Sequence, residues 1–256
     1  MPSQPQLKGI SAAPGLAQGA AFWVDASAIV HSADSLEPTI DLSEALALAS
    51  SQLVELMERI AGEEAEILEF QLAMLEDEAL SDPVRQAVAA GTTLIEAWQQ
   101  TLDEHVTDYE QSEDEYFQAR ASDLCDIRDR VLRILCGETE AEIPEGAILL
   151  ATDLTPSRFL SLDWNKGGGV VLREGSPSSH VAMLARSRGV PMLVGIGDLQ
   201  TGAFPDQTRL LLDADEGVLH VDPSAEETQA FEHKLQIAIE EAERLAPLLN
   251  QPAQTL

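Results

Sequence analysis

The chain of 256 residues is long enough for one large domain or two ordinary ones, and 45% hydrophobic with 23% charged residues is a globular composition. Its 45 acidic and 15 basic residues, a formal charge of −30, argue against a nucleic-acid or anionic-lipid surface and favour a cation or a basic protein partner. No run approaches the roughly 20 apolar residues of a membrane span, and the opening MPSQPQLKGISAAPG lacks the regions of a secretory signal.

The first residues, through AAFWV, read as extended. From about residue 42 to 136 the pattern is helical. Asp41 and Glu44 form a capping box, and Leu42, Leu46, Ala49, Leu53, Leu56 and Ile60 then recur at three and four. Glu63 to Glu78 makes a second helix with Ile67, Phe70, Met74 and Leu75 inward. Pro83 suits the first turn of a third helix, which Gly91 closes. Thr93 and Glu96 cap the next, ahead of Leu94, Trp98, Leu102 and Val106. A long helix carries Phe117, Leu124, Ile127, Val131 and Leu135 before Gly137. The spacing predicts an all-helical bundle or hairpin pair. Cys125 and Cys136 lie in that last stretch without metal-ligand spacing, which fits a reduced, cytoplasmic protein.

The texture changes at Pro144. Short apolar runs (GAILLAT, GGGVVL, PMLVG, RLLLDA, GVLHV) alternate with turns, and DADEGVLHV reads as a hairpin turning at Glu216-Gly217. Helical pieces fall at 156–162 and 180–188. The expected fold is an α/β domain whose first strand lies at the N-terminus and whose helical part is an insertion. Its segments are 1–24 and 144–223, the insert is 25–143, and a linker helix with a polar tail fills 224–256. Ser224 and Glu227 start that final helix, whose apolar face is Phe231, Leu235, Ala238, Ala242 and Leu245.

Of five histidines, His31, His105, His220 and His233 sit in ordinary settings, and a single histidine is most often just a satisfied surface or core residue. His180 differs. In REGSPSSHVAMLARSRGVPMLVG, Ser178 or Ser179 caps a short helix and places His180 at its first or second position. Unpaired N–H groups and the positive dipole end there favour an anion. The same dipole favours a neutral, nucleophilic ring. Gly175, Ser176, Ser178 and Ser179 leave room for a partner's active site. A neutral nucleophile, an anion-receptive floor and open access are what a phosphoryl carrier needs. No second histidine or cysteine makes a metal site nearby, and no G-x-S-x-G elbow supports a Ser-His hydrolase.

Several stretches in one order resemble a known family: GISAAPGLAQGAAFWV, MLEDEAL, DEYFQARASDLCDIRDRVLRIL, ATDLTPS and SSHVAMLARSRGVPMLVG. The chain is similar to the N-terminal half of Enzyme I of the phosphoenolpyruvate-dependent sugar phosphotransferase system. The resemblance implies an α/β phosphohistidine (swivelling) domain with an inserted all-helical docking subdomain and a C-terminal linker helix. It implies that His180 is phosphorylated on a ring nitrogen, usually Nε2, and exchanges phosphate with the carrier protein HPr, with Ser178, Ser179 and helix N–H groups holding the phosphoryl. The HPr surface it implies comprises Glu63, Gln71, Met74, Asp77, Glu78, Leu80, Tyr116, Arg120 and Asp123.

Three departures stand out. Gln71 stands where the family commonly has histidine, and Phe159 replaces a threonine able to bond the active histidine. Gly175-Ser176-Pro177 resembles the Enzyme-I-like domain of the dihydroxyacetone kinase phosphotransfer subunit. Phosphoenolpyruvate and Mg²⁺ are expected only with a C-terminal barrel, so the 256 residues alone, expected to be monomeric, bind no cofactor or metal and take phosphate from phospho-HPr. The rival readings are an HPr-docking regulatory module without chemistry and a full phosphoenolpyruvate-dependent kinase whose barrel lies downstream.

Overall fold

The computed structural model describes residues 6–24, 37–58, 60, 63–138, 143–197 and 202–249. Its sheet has the order β1-β8-β7-β3-β4-β5-β6-β2. The strands are β1 (Gln6–Lys8), β2 (Ile10–Ala13), β3 (Leu16–Trp23), β4 (Ile148–Ala151), β5 (Gly169–Leu172), β6 (Met192–Val194), β7 (Arg209–Asp213) and β8 (Val218–Val221). The middle four, β3 to β6, run parallel, and the flanking pairs are antiparallel.

Lys8 pairs with Val218 at one end of this order and Ile10 with Val194 at the other. Two residues of extended chain span only about 7 Å, so the sheet must curl until its ends meet. Side chains then divide by the two-residue period of a strand. Ile148, Leu150, Val171, Leu193, Leu210, Leu212 and Leu219 fill the inside of the curl. Leu149, Val170, Leu172, Met192 and Val194 face outward into the helices. Burial on both faces is why these strands read as continuous apolar runs.

Gly19 marks a close approach in this wall. A Cβ there would lie 2.0 Å from the Gly146 carbonyl oxygen, and a backbone oxygen cannot swing aside. Gly19→Ala is expected to destabilise the fold by about 3 kcal/mol. Urea unfolding should show a lower midpoint with an unchanged slope; a midpoint matching that of the native chain would show that the wall yields.

The helices are α1 (Leu42–Met57), α2 (Glu63–Glu76), α3 (Glu78–Ala89), α4 (Leu94–Glu110), α5 (Glu115–Leu135), α6 (Pro156–Leu160), α7 (His180–Ser187) and α8 (Ala225–Leu249), with a 3-10 turn at Trp164–Lys166. The first five lie in sequence between β3 and β4, which are neighbours in the sheet. Asp41 caps α1 by accepting from Glu44 N at 2.9 Å, and Thr93 caps α4 by accepting from Glu96 N at 3.3 Å. Trp98, Leu102, Leu124, Ile127 and Val131 are fully enclosed where α4 and α5 pack. No described helix is long and apolar enough to cross a membrane.

Five expectations need correction. The second helix ends at Glu76, because Asp77 caps a new one by accepting from Ala79 N at 2.8 Å. Pro83 therefore falls inside α3 rather than in its first turn, and the Ala79 carbonyl loses its donor four residues on. In α2 the deepest side chains are Leu68 and Gln71, with Phe70 and Met74 only half-buried. Phe117 is 40% exposed and sets its edge against Tyr109, the ring centroids 5.2 Å apart. On α8 a reciprocal Ser224–Glu227 box forms as expected, and Phe231 is buried. Ala238 is exposed, however, so the inward face is short, and the Ala242 and Leu245 side chains lie outside the described residues.

Candidate active site

His180 stands where β5 hands over to α7. Gly175, at φ 92°, turns the chain out of the sheet, and Ser179 N donates to Ser176 O at 3.0 Å to close the turn. Ser179 is the N-cap: its Oγ accepts from Ala182 N at 3.2 Å, which makes His180 the first residue of the helix. Ser178 is exposed and its hydroxyl pairs with that of Ser176 at 2.9 Å. Arg186, in the last turn of α7, donates to Pro177 O at 2.9 Å and to Ala12 O, tying the turn back to β2.

The histidine ring is 21% exposed and opens on a cavity of about 320 Å³ between the insert and the sheet. Ser122 and Cys125 of α5 form one wall; Asp153 to Pro156, Ser179 and His180 form the other. Its hydroxyls come from Ser122, Thr155 and Ser179. Phe159 supplies none: it is fully buried and stacks on Trp164 with centroids 4.9 Å apart. Burial pushes the Cys125 thiol up to about 11, against the pull of Arg128, so it stays protonated at neutral pH and does not compete as a nucleophile.

Asp123 was missed as a neighbour of the histidine. Its Oδ1 lies 3.7 Å from His180 Nδ1, and its Oδ2 accepts from Arg120 Nη1 at 3.0 Å. Equally unforeseen is a buried polar network one turn further along α5. Asp126 accepts from Ser157 N (2.8 Å), Ser157 Oγ (2.6 Å) and Gln71 Nε2 (3.0 Å). Arg130 donates to that same Ser157 Oγ at 2.6 Å and to Gln52 Oε1 at 2.7 Å. The network ties α1, α2 and α5 to the start of α6, two residues after the cavity residue Thr155. The sequence carried a signal for it: Asp126 and Arg130 interrupt the inward face of Leu124, Ile127 and Val131.

The expected docking residues separate under this geometry. Asp77 and Glu78 are exposed at the α2–α3 break, Met74 is half-buried, and Arg120 lies 4.8 Å over the Phe70 ring. Gln71, Leu80 and Asp123 are interior and beyond a partner's reach in this arrangement. Leu80 fills the bundle core, while Gln71 and Asp123 are held by Asp126 and Arg120. The side chains of Glu63 and Tyr116, and all of His31, lie outside the described residues. Among the described residues no group of three His, Cys, Asp or Glu side chains is arranged to hold a metal ion.

Two family models match in sequence order: the N-terminal domain of PEP-utilising enzymes over residues 8–120 and their mobile domain over residues 143–217. A phosphoenolpyruvate-protein phosphotransferase of Haloferax volcanii is 35% identical over 176 residues, 68% of this chain and 31% of that protein. One of Haemophilus influenzae is 33% identical over 275 residues, 98% of this chain and 46% of that protein. The chain thus spans less than half the length of these curated relatives. A solution structure of Enzyme I aligns with a TM-score of 0.70 at 25% identity, covering 91% of this chain and 99% of that one. The chain belongs to the PEP-utilising enzymes, as an N-terminal half of the Enzyme I kind.

Proposed function

We propose that His180 exchanges a phosphoryl group with the phosphohistidine of a basic carrier protein of the HPr type, in a phosphoenolpyruvate-dependent phosphotransferase system of the cytoplasm. One observation carries this reading: a half-open imidazole at the first position of α7, beside a cavity wide enough for a phosphoryl group and lined with hydroxyls. Ser179 takes up two of the first-turn donors, Ala182 N with its Oγ and Met183 N with its carbonyl. Among the described residues, that leaves the N–H groups of His180 and Val181, with the Ser179 hydroxyl, for phosphoryl oxygens. Ser178 stands further off, on the exposed side of the turn.

The step trades one P–N bond for another. The donor ring recovers the electron pair of its breaking bond as a ring nitrogen of His180 forms the new one, so the transfer runs in either direction with little driving force. Docking falls to the acidic insert, where Asp77 and Glu78 are exposed acids among the expected docking residues, and opposite charge on the carrier speeds encounter and makes it salt-sensitive. The sheet segments 1–24 and 144–223 hold the histidine, the insert 25–143 holds the partner, and 224–256 links onward. Mg²⁺ and phosphoenolpyruvate belong to a C-terminal barrel.

Mixing the chain with phospho-HPr and weighing it intact tests the reading. One acid-labile phosphoryl group should appear, and none with phosphoenolpyruvate and Mg²⁺ alone. Binding of the carrier without any mass gain would mean a docking module instead.

A further inference from the structure

The contact between His180 and Asp123 joins two parts of the chain that no motif connects. Asp123 lies on α5 of the insert with its side chain fully buried, and Arg120 holds its Oδ2 at 3.0 Å. Its Oδ1 lies 3.7 Å from His180 Nδ1. Both facing atoms are shut off from solvent, and neither has a hydrogen-bond partner among the described residues. Leaving a buried carboxylate oxygen and a buried ring nitrogen unpaired is unfavourable. A closure of about 0.8 Å turns the contact into an ordinary N–H···O bond that satisfies both.

The geometry points to Asp123 as the positioning residue of His180: its carboxylate holds the ring proton on Nδ1 and so keeps the lone pair on Nε2, the nitrogen that takes the phosphoryl group. This rests on the reading of His180 as a phosphoryl acceptor. It gives Asp123 a task other than contact with a carrier, and it supplies the polar neighbour that Phe159 cannot. As Nε2 bonds phosphorus, the donor's P–N bond breaks and its electron pair returns to the donor ring. The proton on Nδ1 stays, the His180 ring becomes cationic, and the facing carboxylate stabilises that charge. In the reverse step the ring leaves as neutral imidazole, still protonated on Nδ1. Because the carboxylate belongs to the insert and the histidine to the sheet, any movement that parts them withdraws this support.

Asp123→Asn inverts the preference for a stated reason. Arg120 is a donor and takes the amide oxygen, so the amide NH₂ faces Nδ1 and favours the proton on Nε2. Nitrogen-15 NMR of the unphosphorylated chain, at a pH where the ring is neutral, reads the tautomer directly. The native ring should be the Nδ1–H form. Asp123→Asn should shift it towards Nε2–H and slow phosphoryl transfer by ~10-fold or more, and Asp123→Glu should recover part of both. A native ring found mainly as Nε2–H overturns the proposal, and that measurement needs no folded variant. An unchanged tautomer in a folded Asp123→Asn chain also overturns it. A native Nδ1–H ring in a chain that accepts no phosphoryl group sinks the transfer reading and leaves the positioning role standing.

Discussion

Replacing His180 with alanine is expected to abolish acid-labile, base-stable labelling by phospho-HPr while the chain stays folded and still binds the carrier. The loss should reach background, because the side chain is the bond-forming partner itself and no neighbouring group can take over. The Cys125 thiol in the same cavity is held protonated, and the Ser178 and Ser179 hydroxyls bond the Ser176 hydroxyl and Ala182 N rather than a base. Helix α7 should survive. Its cap bond runs from the Ala182 backbone to Ser179, and alanine is the better helix former. Carrier binding, measured by calorimetry or by line broadening in NMR, should persist, since the exposed acids Asp77 and Glu78 lie on other helices. Label that remains in the variant would take His180 out of the mechanism.

The second large effect is expected at Asp126, where stability rather than chemistry is at stake. Asp126→Ala leaves Ser157 N, Ser157 Oγ and Gln71 Nε2 without their acceptor in a place water does not reach. Removing one member of such a buried set costs about 3–5 kcal/mol, a large share of the 5–15 kcal/mol that holds a typical domain. Asp126→Asn should cost less, since its amide oxygen still accepts. Ser157→Ala should cost about 1–2 kcal/mol, because it removes the hydroxyl that bridges Asp126 and Arg130. A double-mutant cycle in urea should return a coupling of about 1 kcal/mol or more between the two positions. An Asp126→Ala chain within about 0.5 kcal/mol of native would mean that water or other groups replace the carboxylate readily.

These two sites meet in one piece of structure. Asp126 lies a turn beyond Asp123 on α5, so the network that fastens Ser157 to the insert also keeps α5 against the sheet part that carries His180. Loosening it should weaken the approach of Asp123 to the ring. In the Asp126→Ala chain, if it folds, the His180 tautomer preference should therefore relax partway towards that of free imidazole.

Much of this protein was legible in its residue pattern. The strand runs were apolar throughout because both faces of a curled parallel sheet are buried, and the caps at Asp41, Thr93, Ser179 and Ser224 announced helix starts by local hydrogen bonding. Such features depend on a few consecutive residues, so they can be read along the chain. Asp77 shows where local reading fails: Pro83 looked like the stronger helix start, yet a side-chain cap six residues earlier set the boundary.

What the chain order could not contain was the pairing of distant groups. Asp126 could be read as an acid on an inward face, but nothing within three or four residues says that it meets a serine hydroxyl or that Asp123 faces an imidazole. Gln71, Leu80 and Asp123 were placed on a docking surface because identity at matching positions says nothing of depth. Only the packing of the helices on one another and of the insert on the sheet decides which side of a helix is inside. Helical periodicity tells which residues share a face, but packing alone tells what that face meets.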